Sequence, residues 1–395
     1  MANGILSGLR VLDLTWVLAG PYATRVLADF GAEVIKVQSI KTAKGAESNL
    51  TGYFNTWNRN KRSITLDMSR PEARSIALQL IVISDVLIEN FSPRVMLNWG
   101  LDYERLREIN PRLIMASMSA MGQTGPWRDF VGFGPTVQAL SGLTHLTSFE
   151  TDSPIGVGYA FADPVAGLYA VLAILAALEH RDKTGRGLFI DLSQYEAICT
   201  LVGPALLDAL VNPKTMLPPG NQPDDSHAAP YGCYACAGKD RWCVIAVFDD
   251  TEWLALCERM GSPGLASEAR FATRSQRKAH QAELDEILGQ WTARHSPEQV
   301  VALLQEAGVP SGVVQNARDL SNDPQLTARH FFVRLRHPTL GETVSDASPM
   351  RFGGSPASDW KSAPLLGEDN RYVLGELLGL QDDELSSLLE KGVIG

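Results

Sequence analysis

Residues 9–37 are LRVLDLTWVLAGPYATRVLADFGAEVIKV, and this stretch decides the fold class. It contains two strand-like segments, LRVLDL and AEVIKV, on either side of a helical segment at 20–30. Both strand-like segments are mostly apolar, which is typical of parallel strands that helices cover on both faces. A strand, a helix and a second strand of this kind predict a βαβ unit, so we expect an α/β fold.

The same alternation continues through the first 195 residues. Four more strand-like segments are RSITLD (62–67), DVLIEN (85–90), RLIMASM (112–118) and LFIDLS (188–193). They predict a Rossmann-like large domain with a parallel sheet. The stretch after the first strand, TWVLAGPYAT, lacks the G-x-G-x-x-G fingerprint, and the chain has no Walker A motif and no G-x-S-x-G elbow. These absences disfavour an enzyme that binds a nicotinamide cofactor or ATP.

A change in composition marks the end of this region. Residues 212–230 are rich in Pro, Asn, Asp and Gly, which is typical of an exposed linker. Beyond the linker, strand-like and helical patterns predict a smaller α+β domain at roughly 228–330.

The acidic composition disfavours two classes of partner. The net charge is -10 and the sequence pI is about 5.3, which disfavours binding to nucleic acids or to anionic membranes. The longest uncharged apolar run, 165–178, has 14 residues, fewer than the roughly 20 of a membrane-spanning helix, so it predicts a buried core helix. Five cysteines and no apolar signal segment at the N-terminus predict reduced thiols in a cytoplasmic protein.

The segment CYAC (233–236) is the one candidate metal or redox motif, with Cys243 and His227 nearby. A structural zinc site needs a second pair of ligands at a defined spacing, and the sequence has none. The seven histidines show no His-x-x-x-His spacing. We therefore expect small buried residues on a hairpin here, and no metal.

Asp163 is a single acid at the start of a long apolar segment, with GYAFAD before it and VAGLYA after Pro164. An aspartate followed by proline is typical of a helix N-cap. A carboxylate in an apolar cleft can also act as a nucleophile and form a covalent acyl intermediate. The residues alone leave both roles open.

Six ordered blocks resemble the class III CoA-transferases, the CaiB/BaiF family of formyl-CoA transferase and carnitine CoA-transferase, which also includes α-methylacyl-CoA racemases. The resemblance implies an enzyme that moves CoA from an acyl-CoA, with succinyl-CoA as one candidate donor, to a carboxylic acid. The blocks are residues 9–37, NRNKRSITLDM (58–68), DVLIENFSP (85–93), GLDYERLREINPRLIMASMSAMGQTGP (100–126), ADPVAGLYAVLAILAALEHRDKTGRG (162–187) and APLLGEDN (363–370).

The resemblance also implies the site residues. Asp163 matches the family's nucleophile, which forms an aspartyl anhydride and an aspartyl-CoA thioester, and no metal is implied. The positions that match the family's CoA-binding groove are Val17, Leu66, Asn90 and Phe91. We add Arg94, because a cation just after ENFSP is suited to a CoA phosphate. Ser39 stands where formyl-CoA transferase has a basic residue, so the candidate replacements are Arg59, Lys61 and Arg62.

Two positions bear on the substrate. Phe133, in GFGPT, stands where the racemases have a histidine, which disfavours proton exchange at the α-carbon. Leu18, with Trp16 nearby, stands where formyl-CoA transferase has a glutamine, which favours a bulkier and less polar acid than oxalate. The alternatives are an acyl-CoA racemase or epimerase, and one subunit of a heteromeric CoA-transferase.

The resemblance finally implies an interlocked, ring-shaped homodimer. In that architecture the large domain consists of residues 1–205 and a C-terminal tail, 363–395. The small domain is 228–330, and the linkers 206–227 and 331–362 complete the ring.

Overall fold

A computed structural model of the chain describes residues 4–149, 153–212, 218, 220–221, 227–353 and 360–395. The chain divides into two compact units. The first draws on residues 1–144, 156–216 and 326–395, and the second on 145–155 and 217–325.

A six-stranded parallel sheet lies at the centre of the first unit. The strands of the chain are β1 (Arg10–Asp13), β2 (Glu33–Gln38), β3 (Arg62–Thr65), β4 (Val86–Glu89), β5 (Ile114–Ser117), β6 (Phe189–Asp191), β7 (Tyr231–Ala235), β8 (Trp242–Ala246), β9 (Ser311–Val313), β10 (Phe332–His337) and β11 (Gly341–Asp346). The sheet has the order β3-β2-β1-β4-β5-β6, and all its neighbouring strands are parallel. The predicted α/β fold with a parallel sheet is therefore confirmed.

Helices connect these strands. They are α1 (Ala19–Asp29), α2 (Gly52–Asn58), α3 (Pro71–Val82), α4 (Arg94–Trp99), α5 (Tyr103–Ile109), α6 (Gly134–Leu140), α7 (Leu143–Leu146), α8 (Ala162–Thr184), α9 (Gln194–Cys199), α10 (Gly203–Val211), α11 (Asp250–Arg259), α12 (Arg274–Ala279), α13 (Gln281–Thr292), α14 (Pro297–Glu306), α15 (Ala317–Ser321), α16 (Pro324–Ala328) and α17 (Asp382–Glu390). Because the strand order reverses between β1 and β4, the carboxyl ends of these two strands border a crevice, the usual place for a ligand in such sheets.

Successive residues of the strands belong to two hydrophobic clusters, one on each face of the sheet. Val11 packs with α1 and α8, whereas Leu12 packs with α3 and with Val373 and Ile394 of the C-terminal segment. This alternation follows from the two-residue period of a strand. It places α1 and α8 side by side on one face.

Helix α8 buries one face against α1 and the sheet. The buried residues recur about every four positions and are mostly small: Ala162, Ala166, Ala170, Ile174 and Ala177. Near the other end of the helix, Arg181 bonds to Asp85 at 2.8 Å. This pair joins α8 to the edge of the sheet opposite the crevice, because Asp85 directly precedes β4.

The prediction of a buried core helix holds for one face of α8, but the other face is exposed. Leu172 is 65% exposed, and Leu168 and Leu175 are exposed as well. Within the described ranges, α8 is the one helix long and apolar enough to cross a membrane, judged by length and composition alone. Sequence periodicity shows that a residue is apolar, but not whether the same chain covers it.

The second unit contains an antiparallel sheet with the order β7-β8-β9. Helices α11, α13 and α14 cover it with a core that includes Trp253, Leu284 and Leu304. The CYAC segment runs from β7 into the turn that precedes β8, and Cys236 and Cys243 are buried there. Among the residues that the structure describes, no three His, Cys, Asp or Glu side chains are grouped to hold a metal ion.

The segment 331–362, which the resemblance implied to be a linker, contains two strands. Strands β10 and β11 form an antiparallel hairpin within the first unit. Ion pairs from Asp346, at the end of this hairpin, to Arg25 and Arg59 join it to the body of that unit. Residues 354–359 lie outside the described residues.

Candidate active site

Asp163 is the second residue of α8, directly after Ala162. The helix N-cap is Phe161, and the Asp163 side chain forms no capping hydrogen bond, so the predicted N-cap role was wrong. Asp163 is 8% exposed, and in the described part of the chain its buried Oδ2 atom has no hydrogen-bond partner. Buried carboxylate oxygens are normally paired, so an unpaired one indicates a reacting group rather than a structural one.

The burial of Asp163 changes its chemistry. Loss of solvent raises the pKa of the carboxyl group from its usual value to about 6, and this outweighs the lowering by the backbone N–H groups of Ala19 and of Asp163 itself. With a pKa near 6, about nine-tenths of the groups are ionised at pH 7. Asp163 is therefore a poorly solvated but mostly charged carboxylate, which suits a nucleophile.

Gly134 packs against the carboxylate, and the charge of Asp163 acts on Tyr53 and Tyr159. A Cβ atom built on Gly134 would lie 2.3 Å from Asp163 Oδ2, so a larger residue would displace the oxygen. Burial, together with the charge of Asp163, raises the pKa of Tyr53 to about 12 and also raises that of Tyr159. Both phenols therefore stay protonated at neutral pH and remain hydrogen-bond donors. Sequence reasoning missed both tyrosines because no motif surrounds them.

A cavity of about 320 Å³ opens beside Asp163. Three of the predicted CoA-binding residues, Val17, Asn90 and Phe91, line it together with Asp163. Val17 follows β1, and Asn90 and Phe91 follow β4, so the crevice at the carboxyl ends of these strands brings the four residues together.

A second cavity of about 320 Å³ adjoins the first. Leu66 lines the second cavity, and both cavities share Trp16, Phe91 and Trp99. Since the walls are largely apolar and aromatic, the two cavities together suit an elongated ligand with flat or apolar parts. Arg94 is exposed at the start of α4 and lines neither cavity.

The cations proposed to replace the basic residue at position 39 lie elsewhere. Arg59 and Lys61 are buried and paired with Asp29 and Asp13, and Arg62 pairs with Glu33 and Asp369. None of the three arginine or lysine side chains lines either cavity. Instead Lys41, two residues after Ser39, lines the second cavity, where it pairs with Asp67 at 2.6 Å.

The turn between β1 and α1 has an unusual backbone. Val17 has a φ of 64°, a left-handed conformation that is uncommon for a β-branched residue. Asn90 holds the turn, since its side chain accepts a hydrogen bond from Trp16 N at 2.9 Å and donates one to Trp16 O at 3.0 Å. The Val17 N–H donates to Glu47 at 2.6 Å. These contacts keep the strained turn at the mouth of the cavities.

Trp16, rather than Leu18, faces the ligand space. Leu18 is buried at 2% exposure and lines neither cavity, whereas Trp16 lines both. We therefore base the predicted preference for a bulkier and less polar acid on Trp16 instead of Leu18. Phe133 lines the first cavity, near Asp163.

Comparison with known proteins identifies the family. Residues 6–370 match CoA-transferase family III. The chain is 36% identical over 399 residues to a succinyl-CoA--D-citramalate CoA-transferase of Chloroflexus aurantiacus, with 98% of each chain covered. It is 33% identical over 405 residues to the beta subunit of a succinyl-CoA--L-malate CoA-transferase of the same organism, again with 98% of each chain covered. A crystal structure of a CAIB/BAIF family protein from Brucella suis has a TM-score of 0.86 at 33% identity, covering 95% of this chain and 100% of that one.

The chain therefore belongs to CoA-transferase family III, as the resemblance predicted. It is a CoA-transferase enzyme, and its substrates are CoA thioesters and carboxylic acids.

Proposed function

We propose that this enzyme transfers CoA from an acyl-CoA donor to a carboxylic acid through covalent intermediates on Asp163. The observation that supports this proposal most directly is the unpaired, desolvated and mostly ionised carboxylate of Asp163 in the wall of a cavity. A carboxylate in that state is more nucleophilic than one in water, because less solvent must be removed before it attacks.

The reaction begins with two covalent steps. The Asp163 carboxylate attacks the donor thioester carbonyl and the C–S bond breaks. CoA leaves as a thiolate, and an aspartyl anhydride with the donor acyl group remains on the enzyme. The thiolate then attacks the aspartyl carbonyl of this anhydride and releases the donor acid as a carboxylate. The product is an aspartyl-CoA thioester.

The second half of the reaction reverses these steps with the acceptor acid. The acceptor carboxylate attacks the aspartyl-CoA thioester and expels CoA thiolate, which gives a second anhydride. The thiolate attacks the acceptor's own carbonyl in that anhydride. Acceptor-CoA leaves, and the Asp163 carboxylate is restored without net uptake or loss of a proton.

The surroundings of Asp163 suit these steps. The Ala19 N–H lowers the pKa of the carboxyl group and is therefore suited to stabilise negative charge on the aspartyl oxygens. The protonated phenols of Tyr53 and Tyr159 are suited to bind the oxygens of an incoming carboxylate. Burial also limits hydrolysis of the anhydrides by water.

We propose succinyl-CoA as the donor, because relatives with this donor in their names cover nearly the whole chain. We propose an acceptor that is bulkier than oxalate and carries a second carboxylate. Among the described residues that line the first cavity, Arg128 is the one cation, and a guanidinium can bind such a group. The exposed Trp16 adds apolar surface for the acceptor's carbon chain.

We also propose the interlocked homodimer for the assembly. Exposed leucines on α8 and α10, among them Leu172 at 65% and Leu210 at 76%, leave more apolar surface than a monomer usually shows in one place. A second copy of the chain would cover this surface. The acidic charge and the five free cysteines support a cytoplasmic location.

The decisive experiment compares Asp163→Asn with Asp182→Asn, an exposed acid on the same helix. Each purified chain is incubated with succinyl-CoA and a panel of mono- and dicarboxylic acids, and mass spectrometry detects new thioesters. We expect Asp163→Asn to lose several powers of ten in rate and Asp182→Asn to remain active. Hydroxylamine added during turnover of the wild type should label Asp163.

Other outcomes would change the proposal. Full activity of Asp163→Asn, or a label on a different acid, would contradict the assignment of the nucleophile. Deuterium uptake at the α-carbon of a chiral 2-methylacyl-CoA, without thioester exchange, would indicate a racemase. Activity that requires a second, different chain would indicate a heteromeric enzyme, as in the malate relative's beta subunit.

A further inference from the structure

A pair of buried lysines holds both ends of the turn between β1 and α1. Lys36 is fully buried, and its Nζ atom donates to Thr15 O at 2.7 Å, where the turn begins. Lys61 is 6% exposed, and its Nζ atom donates to Pro21 O at 3.0 Å, in the first turn of α1. Neither lysine lines the two cavities, so neither is placed to bind substrate.

Asp13 supplies the counter-charge from the last position of β1. Its Oδ2 accepts hydrogen bonds from Lys61 at 3.0 Å and from Thr24 at 2.6 Å, and its Oδ1 accepts from Thr15. Lys61 also donates to Asn58 Oδ1 at 2.8 Å. Each of the three N–H groups of the Lys61 ammonium thus has an acceptor. The neutral amine has only two N–H groups and would leave one of these acceptors without a donor.

Several groups set the charge state of this network. Burial lowers the pKa of Lys61 to about 7, against the opposing effect of Asp13. Lys36 lowers the pKa of Lys61 further, and Glu47 raises it. Burial raises the pKa of Asp13, but Lys61 and Lys36 together hold this pKa well below its usual value. We infer from the complete set of acceptors that the folded protein contains the ion pair.

Two glycines bring this turn against the nucleophile's helix. A Cβ on Gly20 would lie 2.3 Å from Thr15 Cβ, so the turn closes tightly on itself. A Cβ on Gly167 would lie 2.9 Å from Ala19 O, so α8 approaches the turn as closely as backbones allow. Gly167 is one helical turn after Asp163, so this contact places the Ala19 backbone, at the start of α1, close to the turn of α8 that carries the carboxylate. The Ala19 N–H lowers the pKa of the Asp163 carboxyl group.

Burying two ammonium groups and a carboxylate is costly, and an apolar cluster would stabilise a fold at least as well. We propose that Lys61 and Lys36 are positioning residues, which fix the strained turn so that the Ala19 N–H stays directed at Asp163. The catalytic consequence rests on the proposed function of Asp163, whereas the placement of the N–H group does not. The charge of Asp163 also acts on Tyr159, in a segment that neither lysine bonds to, and on Tyr53 of α2, the helix whose Asn58 accepts a hydrogen bond from Lys61.

The test uses Lys61→Met, which keeps the buried stem and removes the ammonium group. Because this change leaves Asp13 unpaired, the neutral double variant Asp13→Asn/Lys61→Met is measured beside it. The control is Arg59→Met, a buried cation two residues away that bonds to Asp29 and Asp346 instead of the turn. The readouts are kcat, KM, the acid limb of the kcat/KM profile, and the titration of the Asp163 side chain by ¹³C NMR.

If the lysines position the turn, both Lys61 variants should raise the measured pKa of Asp163 by about half a unit or more, because a stabilising N–H is lost. We expect kcat to fall roughly 10- to 100-fold, a range typical for a displaced catalytic group, with KM changed by less than about threefold. Arg59→Met should leave the Asp163 titration unchanged. The proposal is wrong if the folded double variant titrates like the wild type, or if Arg59→Met gives the same shift.

The two proposals fail in different ways. An active Asp163→Asn variant would remove the covalent mechanism, yet the Asp163 titration in the Lys61 variants would still decide whether the lysines place the N–H group. An unchanged titration together with an inactive Asp163→Asn would remove only the role of the lysines.

Discussion

Asp163 lowers the stability of the folded protein at neutral pH. An aspartate in the first turn of a helix usually stabilises it by capping and by the helix dipole. Here the side chain forms no capping bond, and burial raises its pKa from 3.8 to about 6. Because the folded state favours the neutral acid, the fold is most stable below the unfolded pKa and loses stability as the pH rises through about 6.

Asp163→Asn should therefore be more stable than the wild type at pH 8, although we expect it to be inactive. A shift of about two pKa units corresponds to at most about 3 kcal/mol of unfolding free energy. The difference between the two proteins should be smallest well below the unfolded pKa of 3.8, grow up to about pH 6, and stay constant above about pH 7. Urea unfolding across this range measures it, with Asp182→Asn as the exposed control. A variant less stable than the wild type at pH 8 would indicate a structural role for the carboxylate.

Gly134→Ala should damage catalysis far more than stability. The new methyl group would occupy the place of Asp163 Oδ2, 2.3 Å away, and turn the carboxylate from the cavity. A displacement of this size costs about two powers of ten in kcat. Gly203→Ala is a matched control, because Gly203 also begins a helix, also precedes a proline, and has free space at its Cβ. Equal kcat values for the two variants would contradict the proposed geometry.

The sequence allowed Asp163 to be chosen as the candidate nucleophile but did not allow its surroundings to be described. The apolar flanks of Asp163 predicted a carboxylate in a cleft, and the structure places it in a cavity wall. The N-cap assignment failed because Phe161 and Ala162 also take helical conformations, which local propensity did not reveal. Tyr53 lies 110 positions away along the chain, and only the folded structure brings it to Asp163.

The contact between α1 and α8 determines where the nucleophile lies. Both helices present small residues to each other, with Ala19 and Ala23 on α1 and Ala166 and Ala170 on α8. The shortest approach is at Gly167, where a Cβ would meet Tyr22 at 2.8 Å as well as the Ala19 backbone. The spacing of the two helices therefore depends on residue 167 being a glycine, which has no Cβ atom.

Gly167→Ala should push α8 away from α1 and lower both stability and activity. Overpacking of this kind typically costs about 1–3 kcal/mol of unfolding free energy. Gly289→Ala, within α13 and with free space at its Cβ, should instead be neutral or stabilising by up to about 1 kcal/mol. Thermal unfolding and kcat measured on both variants check this prediction. An unaffected Gly167→Ala would show that the helix contact adapts easily.

The strands were the most predictable elements. All six strands of the parallel sheet lie within the segments expected from their apolar runs, to within a residue or two at each end. Apolar runs predict such strands well because both faces of the sheet are covered. Strand β11 lies at the start of GETVSDASPMRF (341–352), a strand-like segment of the sequence, whereas its partner β10 was not predicted.

At the scale of the whole molecule, helices α8 and α10 both carry exposed apolar side chains. On α10 the residues Leu206, Leu207, Leu210 and Val211 are all more than half exposed, and α8 adds its outer leucines. Surfaces of this kind mark association with another chain. The domain boundaries and the interlocked arrangement of two chains remain predictions.

Leu172→Lys should weaken the proposed dimer, because a charge would be buried without a partner where the two copies meet. Native mass spectrometry at decreasing protein concentration should show monomers or aggregates for this variant and dimers for the wild type. Val82→Lys is the control, since Val82 is also exposed but ends α3 on the opposite face of the sheet. Dimers of unchanged strength in Leu172→Lys would place the interface elsewhere, and a wild type that dissociates on dilution would contradict interlocking.

Helix α8 is held near one end by its contact with α1 and near the other by an ion pair, and this bears on how acceptor specificity can change. Asp163 stands at one end of a helix whose other end is fixed to the sheet by Arg181 and Asp85. Trp16 and Arg128, which we propose to recognise the acid, and Phe133, which lines the same cavity, lie outside the helices and strands. Mutations that alter the choice of acid can therefore accumulate in loops while the reacting group keeps its position. Engineering of a new acceptor specificity should accordingly begin with those three residues and leave α8 unchanged.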